Sequence, residues 1–233
     1  MTPERLTPEH VILYVDNALL VVNKPAGLPT LVDGYNPEKP YLVGLLKQTY
    51  DPLWTVHRLD KDTSGVIVFT RTAEAHRHLN TQFEQRQANK IYHALVFGSP
   101  PWETLTVDLP LRVDGDRKHR TMVDAQRGKP AVTDLRVLQR LGLLSLIEAT
   151  PHTGRTHQIR AHLAAQGYPI VSDPLYGPKL PPEAAPITRL ALHARSLTLL
   201  HPETGEEMCF EAPYPQDFGE MLGNLHKPGF YVA

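Results

Sequence analysis

The sequence predicts an α+β fold, a central, mostly antiparallel sheet with flanking helices. Three observations carry this. Short runs rich in Val, Ile and Leu recur along the 233 residues, bounded by turn signals. Only three segments carry the spacing of a surface helix, so strands outnumber helices. No repeat, low-complexity tract or linker divides the chain, which reads as a single domain over 1–233.

Taken in order, HVILYVDNALLVVNKP holds two apolar runs split by Asp16 and Asn17, a β-hairpin pattern. The Pro- and Gly-bearing stretch to residue 40 is loop, and PYLVGLLKQTY starts a helix with Pro40 in its first turn. VIVF, between Gly65 and Thr70, is a buried strand. In RTAEAHRHLNTQFEQRQ, Ala75, Leu79 and Phe83 recur every fourth position and Thr72 stands as N-cap, which specifies an amphipathic helix. KIYHALVFG returns to strand. ETLTVDLPLRV, HRTMVD, AVTDLRVLQRL and LLSLIEATP follow as further strands with DGD and RGKP turns between them. HQIRAHLAAQG is a short helix, entered from the PHTGRT turn and closed by Gly167. After a Pro-rich stretch, SLTLLHPETGEEMCFEAP forms a hairpin turning at Glu203 to Gly205. The tail 214–233 receives no assignment.

Composition narrows the class. Hydrophobic residues make up 41% and charged residues 21%, and no apolar run approaches the length of a membrane helix, so no membrane partner is expected. The first ten residues lack the apolar core of a secretory signal, and the one cysteine, Cys209, has no internal partner for a disulfide. Both suggest the cytoplasm. A pI of about 6.9 gives no global reason to invoke nucleic acid. The distribution does: no acid lies between Glu148 and Asp173, a window holding His152, Arg155, His157, Arg160 and His162, and six Lys or Arg face three Asp between Arg112 and Lys129. Such clusters form either a local basic face or a solvated loop.

Several chemistries lack their motifs. Twelve histidines are present, but there is no HExxH and no CxxC, so no metal site is expected. Phosphate-binding glycine loops and a GxSxG elbow are also missing. Carboxylate chemistry remains. In VHRLDKDTSGVIV, Asp60 stands beside Arg58 at the turn into a buried strand, a pattern that fits a structural ion pair or a catalytic carboxylate and by charge spacing alone favours the ion pair.

HRLDKDTSG, with NKPAGL upstream, KIYHALVFG after the helix, and PHTGRTHQIRAHLAAQGYPIVSD followed by RLALHA, resembles the RluA family of pseudouridine synthases in order and spacing. The resemblance runs from about residue 11 to 213 and is to the short members without an S4 RNA-binding domain. It implies the pseudouridine synthase fold, with a cleft for a flipped uridine and neither metal nor cofactor. It also implies roles. Asp60 is the catalytic aspartate, Arg160 the basic residue paired with it, and Tyr92 the tyrosine against the target base. Arg58 fills the stack vacated by the uridine. Arg155, His157 and Ile159 are expected to contact substrate, with Arg155 and His157 near a phosphate-binding helix start, and His57 is expected either to contact substrate or to be a satisfied structural residue. The implied partner is a stem-loop of ribosomal RNA, transfer RNA or both, and the protein is expected to act as a monomer.

The chemistry asks for these residue types. A carboxylate attacking sugar or base, or acting as base at the sugar, must arrive ionised, and an Arg guanidinium is a permanent counter-charge. Two rivals stand beside this reading. One is an RNA-binding or assembly factor that keeps the fold without the reaction. The other is a nucleoside-cleaving glycosidase, which needs a second acid, and Glu148 is the candidate.

Overall fold

The computed structural model describes residues 11–34, 36–178 and 187–225. They form two compact units, one of the described residues up to 90 together with 194–213, the other of those in 91–193 together with 214–225. Every pairing register described is antiparallel.

In the first unit, β1 (Ile12–Val15) and β2 (Leu19–Lys24) make the expected hairpin. Its turn is tied by the Asp16 carboxylate, which accepts the amides of Ala18 and Leu19 at 2.8 and 2.7 Å. β2 pairs with β4 (Ser64–Thr70), and every residue of β4 is buried, as its β-branched run requires. The short β3 (Trp54–Thr55) pairs with the far end of β4. Gly65 has φ +116, and a Cβ there would lie 2.2 Å from the Ala194 carbonyl oxygen, so only glycine fits. Helix α1 (Leu42–Tyr50) has Tyr41 as N-cap, so Pro40 precedes the cap and lies outside the first turn, where its fixed φ still suits an extended approach. Helix α2 (Ala73–Glu84) is capped by Thr72, whose side chain accepts the Ala75 amide, and buries Ala75 and Leu79.

In the second unit, β5 (Asn89–Phe97, its first two residues belonging to the first unit) pairs with β10 (Leu144–Pro151). β10 in turn pairs with β9 (Val132–Leu141), and β9 with β6 (Thr104–Asp108). β7 (Leu111–Arg112) and β8 (Met122–Val123) form a separate two-stranded hairpin that carries the basic segment. Helix α3 (Gln158–Ala165) buries Ile159 and Leu163 in the core beside Ile147 and Ala149 of β10. The chain crosses between the units within β5, within β11 (Leu192–Leu200) and again after Pro213, and β11 pairs with β12 (Glu207–Glu211) in the final hairpin. The unassigned tail contains helix α4 (Gln216–Leu225), which sends Phe218 and Met221 into the second unit's core. Residues 179–186, which are most of the Pro-rich stretch, lie outside the described residues, as do 1–10, 35 and 226–233.

Candidate active site

The loop from β3 to β4 carries His57, Arg58 and Asp60, and its backbone is fixed on both sides of the aspartate. Leu59 is buried, its carbonyl accepting the Thr30 hydroxyl at 2.9 Å and its amide donating back to Thr30 Oγ1 at 3.3 Å. The Lys61 carbonyl accepts from the Gly27 amide at 2.9 Å and from the Lys24 ammonium at 3.0 Å. Lys24 is wholly buried, and its other named acceptors are the carbonyls of Pro25 and Leu28, both at 2.8 Å. The NKPAGLPT stretch is thus a clamp that pins the residues flanking Asp60. Asp60 itself is partly exposed and Arg58 is exposed, which suits groups that meet a substrate.

His57 has a different place. Its Nε2 accepts the Val68 amide of β4 at 3.1 Å, and the ring stacks on Phe83 with centroids 4.7 Å apart. Burial, then the charge of Lys90 above the same Phe83 ring, pushes its pKa down to about 3, so the ring is neutral with the proton on Nδ1. His57, expected among the substrate contacts, instead extends the β3–β4 pairing with a side chain once β3 has ended.

In the second unit, the letters of HQIRAH divide the labour of one turn and helix. Gln158 accepts the Thr153 hydroxyl at 2.7 Å and the Arg155 amide at 3.0 Å, and donates to Val132 O and Thr133 Oγ1, both at 2.9 Å. His162 bridges Thr133 Oγ1 and the Leu109 carbonyl, and burial pushes its pKa down. Ile159 is 6% exposed and faces the core, away from the substrate role expected of it. His157 takes a left-handed backbone, φ 54, at the N-cap and meets the Tyr176 hydroxyl through Nδ1. Arg155 donates from Nε to the Pro130 carbonyl.

Arg160 makes a bidentate pair with Asp173, Nε to Oδ2 and Nη2 to Oδ1, both at 2.8 Å, with side-chain exposures of 6% and 0%. Asp173 occupies one edge of a guanidinium that carries five donors. Its Oδ1 also accepts the amides of Leu175 and Tyr176. Sequence reasoning left Asp173 without a role; the available signal was that it closes the acid-free window after Glu148.

Tyr92 lies opposite Ala149 in the β5–β10 ladder and packs against the core, while Glu148 lies opposite His93. Neighbouring residues of a strand point to opposite faces, so Glu148 and Tyr92 are on different sides of this sheet. Glu148 is moreover held by Arg136 through two bonds of 3.0 Å. It does not serve as the second acid of a glycosidase on the Tyr92 face. Among the described residues no three His, Cys, Asp or Glu side chains converge as a metal site, and no helix there is long and apolar enough to cross a membrane.

Residues 18–165, which contain both motif loops, match the family model described as RNA pseudouridylate synthase. The chain belongs to this family. Within it the match is to the RluA group. The dual-specificity RNA pseudouridine synthase RluA of Escherichia coli strain K12 is 40% identical over 208 residues, spanning 88% of this chain and 94% of that protein. The ribosomal large subunit pseudouridine synthase D of Pseudomonas aeruginosa is 40% identical over 232 residues, 93% of this chain and 72% of that protein. In fold, the human protein RNA pseudouridylate synthase domain containing 4 matches with a TM-score of 0.76 and 28% identity over 93% of each chain. The α+β, mostly antiparallel architecture expected from the sequence is that of a pseudouridine synthase domain.

Proposed function

We propose that this protein isomerises a uridine of structured RNA to pseudouridine, with Asp60 as the essential carboxylate. The observation that carries this reading is the clamped, partly exposed Asp60 in a loop of the family's sequence, its neighbours Leu59 and Lys61 both tied down by the NKPAGLPT stretch. Holding a nucleophile or base within a few tenths of an ångström of its working position is where much of an enzyme's rate comes from.

The reaction breaks the N1–C1′ bond, turns the uracil, and joins C5 to C1′. The C5 proton leaves and N1 gains one, so the product is an isomer and no co-reactant is consumed. Asp60 acts on the sugar or the base while the glycosidic bond is open. Arg160 supplies the counter-charge, its other edge fixed by Asp173. Tyr92 stacks on the uracil, and its hydroxyl assists removal of the C5 proton. Exposed Arg58 enters the space left by the flipped uridine, offsetting part of the few kcal/mol that unstacking costs. Arg155 and His157, at the start of α3, receive phosphate. His57 acts as a positioning residue behind Arg58 and Asp60.

The substrate is a stem-loop of ribosomal RNA, transfer RNA or both, because flipping costs least where bases are already splayed. The protein works in the cytoplasm as a monomer, without metal or cofactor. Incubating it with unmodified transfer RNA and large-subunit ribosomal RNA, then mapping pseudouridine by carbodiimide labelling and primer extension, tests this reading. New stops at one or a few loop uridines are expected; none in any RNA would refute it and favour an assembly factor.

A further inference from the structure

Tyr176, in the loop after Asp173, joins two parts of the second unit that the chain separates by more than thirty residues. Its hydroxyl donates to the Thr121 carbonyl at 3.0 Å and accepts the Thr121 amide at 2.8 Å, so both main-chain groups of one residue in the β7–β8 hairpin close on a single phenol. The phenol's one proton is committed to Thr121, so the 3.2 Å contact with His157 has the imidazole Nδ1–H as donor. Burial pushes the Tyr176 phenol above its ordinary value, which keeps that proton in place. Two guanidiniums approach the ring. Arg160 of α3 is 5.2 Å from its centroid and Arg120 of the hairpin 6.0 Å. Arg120 also donates to the Leu175 carbonyl at 3.2 Å, a second tie between the hairpin and this loop.

The hairpin so held is the basic segment. Asp116 is consumed by Arg120 and by the amides of Lys118 and Arg120, and Asp124 by Arg112 and the amides of Gln126 and Arg127. Arg117 and Lys118 in the hairpin and Arg127 just after it remain exposed, as does Asp114, which lies 3.4 Å from His119. A positive hairpin is useful to a polyanion only if its position is fixed relative to the chemistry.

Resting on the function proposed above, we propose that Tyr176 is a positioning residue that latches the basic hairpin Leu111–Val123 to helix α3, so that engagement of RNA by the hairpin and the orientation of Arg160 depend on one side chain. The hydroxyl serves the hairpin while the ring meets Arg160 as well as Arg120 of the hairpin, so removing the hydroxyl and removing the ring separate the two functions.

Tyr176→Phe removes the hydroxyl and keeps the ring; losing a buried partner for two main-chain groups predicts a rise of about tenfold in KM for RNA with kcat within about twofold. Tyr176→Leu removes the ring as well and lowers kcat in addition. The assay is tritium release from transfer and large-subunit ribosomal RNA transcribed with C5-labelled uridine. An unchanged KM in Tyr176→Phe, or the same kcat in both variants, would overturn the proposal. Amide hydrogen exchange of the full-length protein without RNA gives an independent reading. Faster exchange confined to residues 111–123 in Tyr176→Phe supports the latch; native exchange there, or acceleration throughout the second unit, refutes it. Because this second measurement needs no RNA, failure of the latch and failure of the proposed activity are told apart.

Discussion

Replacing Asp173 by Asn tests the buried pair at the heart of the second unit. Asp173 is fully enclosed, and its two oxygens receive the Nε and Nη2 hydrogens of Arg160 along with the amides of Leu175 and Tyr176. Asparagine keeps one acceptor for the amides but turns an NH2 toward a guanidinium hydrogen and removes the countercharge. Breaking one partner of a buried ion pair costs about 3–5 kcal/mol. That is a large part of a total stability of about 5–15 kcal/mol. Urea unfolding at pH 7, followed by far-UV circular dichroism, measures it, and a loss near that range is expected. The double variant Arg160→Gln with Asp173→Asn recovers part of the loss, since neither amide carries a charge to bury. A loss below about 1 kcal/mol for the single variant, the value of an exposed pair, would refute the reasoning.

Other predictions follow from the first unit. His57 is held neutral with a pKa near 3, so between about pH 6.5 and 3 the unfolded chain binds a proton that the folded chain refuses, and stability falls on acidification by up to about 1.4 kcal/mol per pH unit. His57→Gln, which keeps an acceptor for the Val68 amide, flattens this slope; urea midpoints from pH 6.5 to 4.5 should show it, and an unchanged slope would contradict the assignment. Asp16 is partly buried, which raises its pKa, but the Leu19 amide, the Tyr14 hydroxyl, the Ala18 amide and His201 outweigh this and leave it lowered. Its contribution is therefore present above the ordinary carboxylate pKa and is lost below about pH 4, a loss that Asp16→Asn removes when the urea midpoints are followed further into acid, below about pH 4. Lys24→Met strips donors from the Pro25, Leu28 and Lys61 carbonyls, and faster amide exchange at Leu59 to Lys61 is the expected readout. Gly65→Ala drives a methyl into the Ala194 carbonyl at positive φ, costing more than about 3 kcal/mol of stability by the same unfolding assay.

What the sequence made legible was local. The β1–β2 hairpin, the buried β4, the Thr72 cap of α2 and the Gly167 stop of α3 each follow from neighbouring residues, and the structure has them. Helix α4 was hidden because Gly219 and Gly223 interrupt its apolar spacing, and its existence depends on the core that takes Phe218 and Met221. The site divides in the same way. The charged letters of HRLD and HQIR stand out beside apolar runs. Their supports do not, because Thr30 meets Leu59, Asp173 meets Arg160 and Tyr176 meets Thr121 only through the fold. His57 shows the limit most plainly: in the sequence it is one more cation beside Asp60, and in the structure it is a neutral ring turned into the sheet.

Asp60 is the residue on which the proposed isomerisation depends. Asp60→Asn keeps the shape of the clamped loop and removes the carboxylate, so tritium release from C5-labelled transfer and ribosomal RNA, measured beside RNA binding by filter retention, isolates it. Release by the native protein and none by the variant is expected, with binding retained in both. Release by Asp60→Asn at the native rate would contradict that dependence.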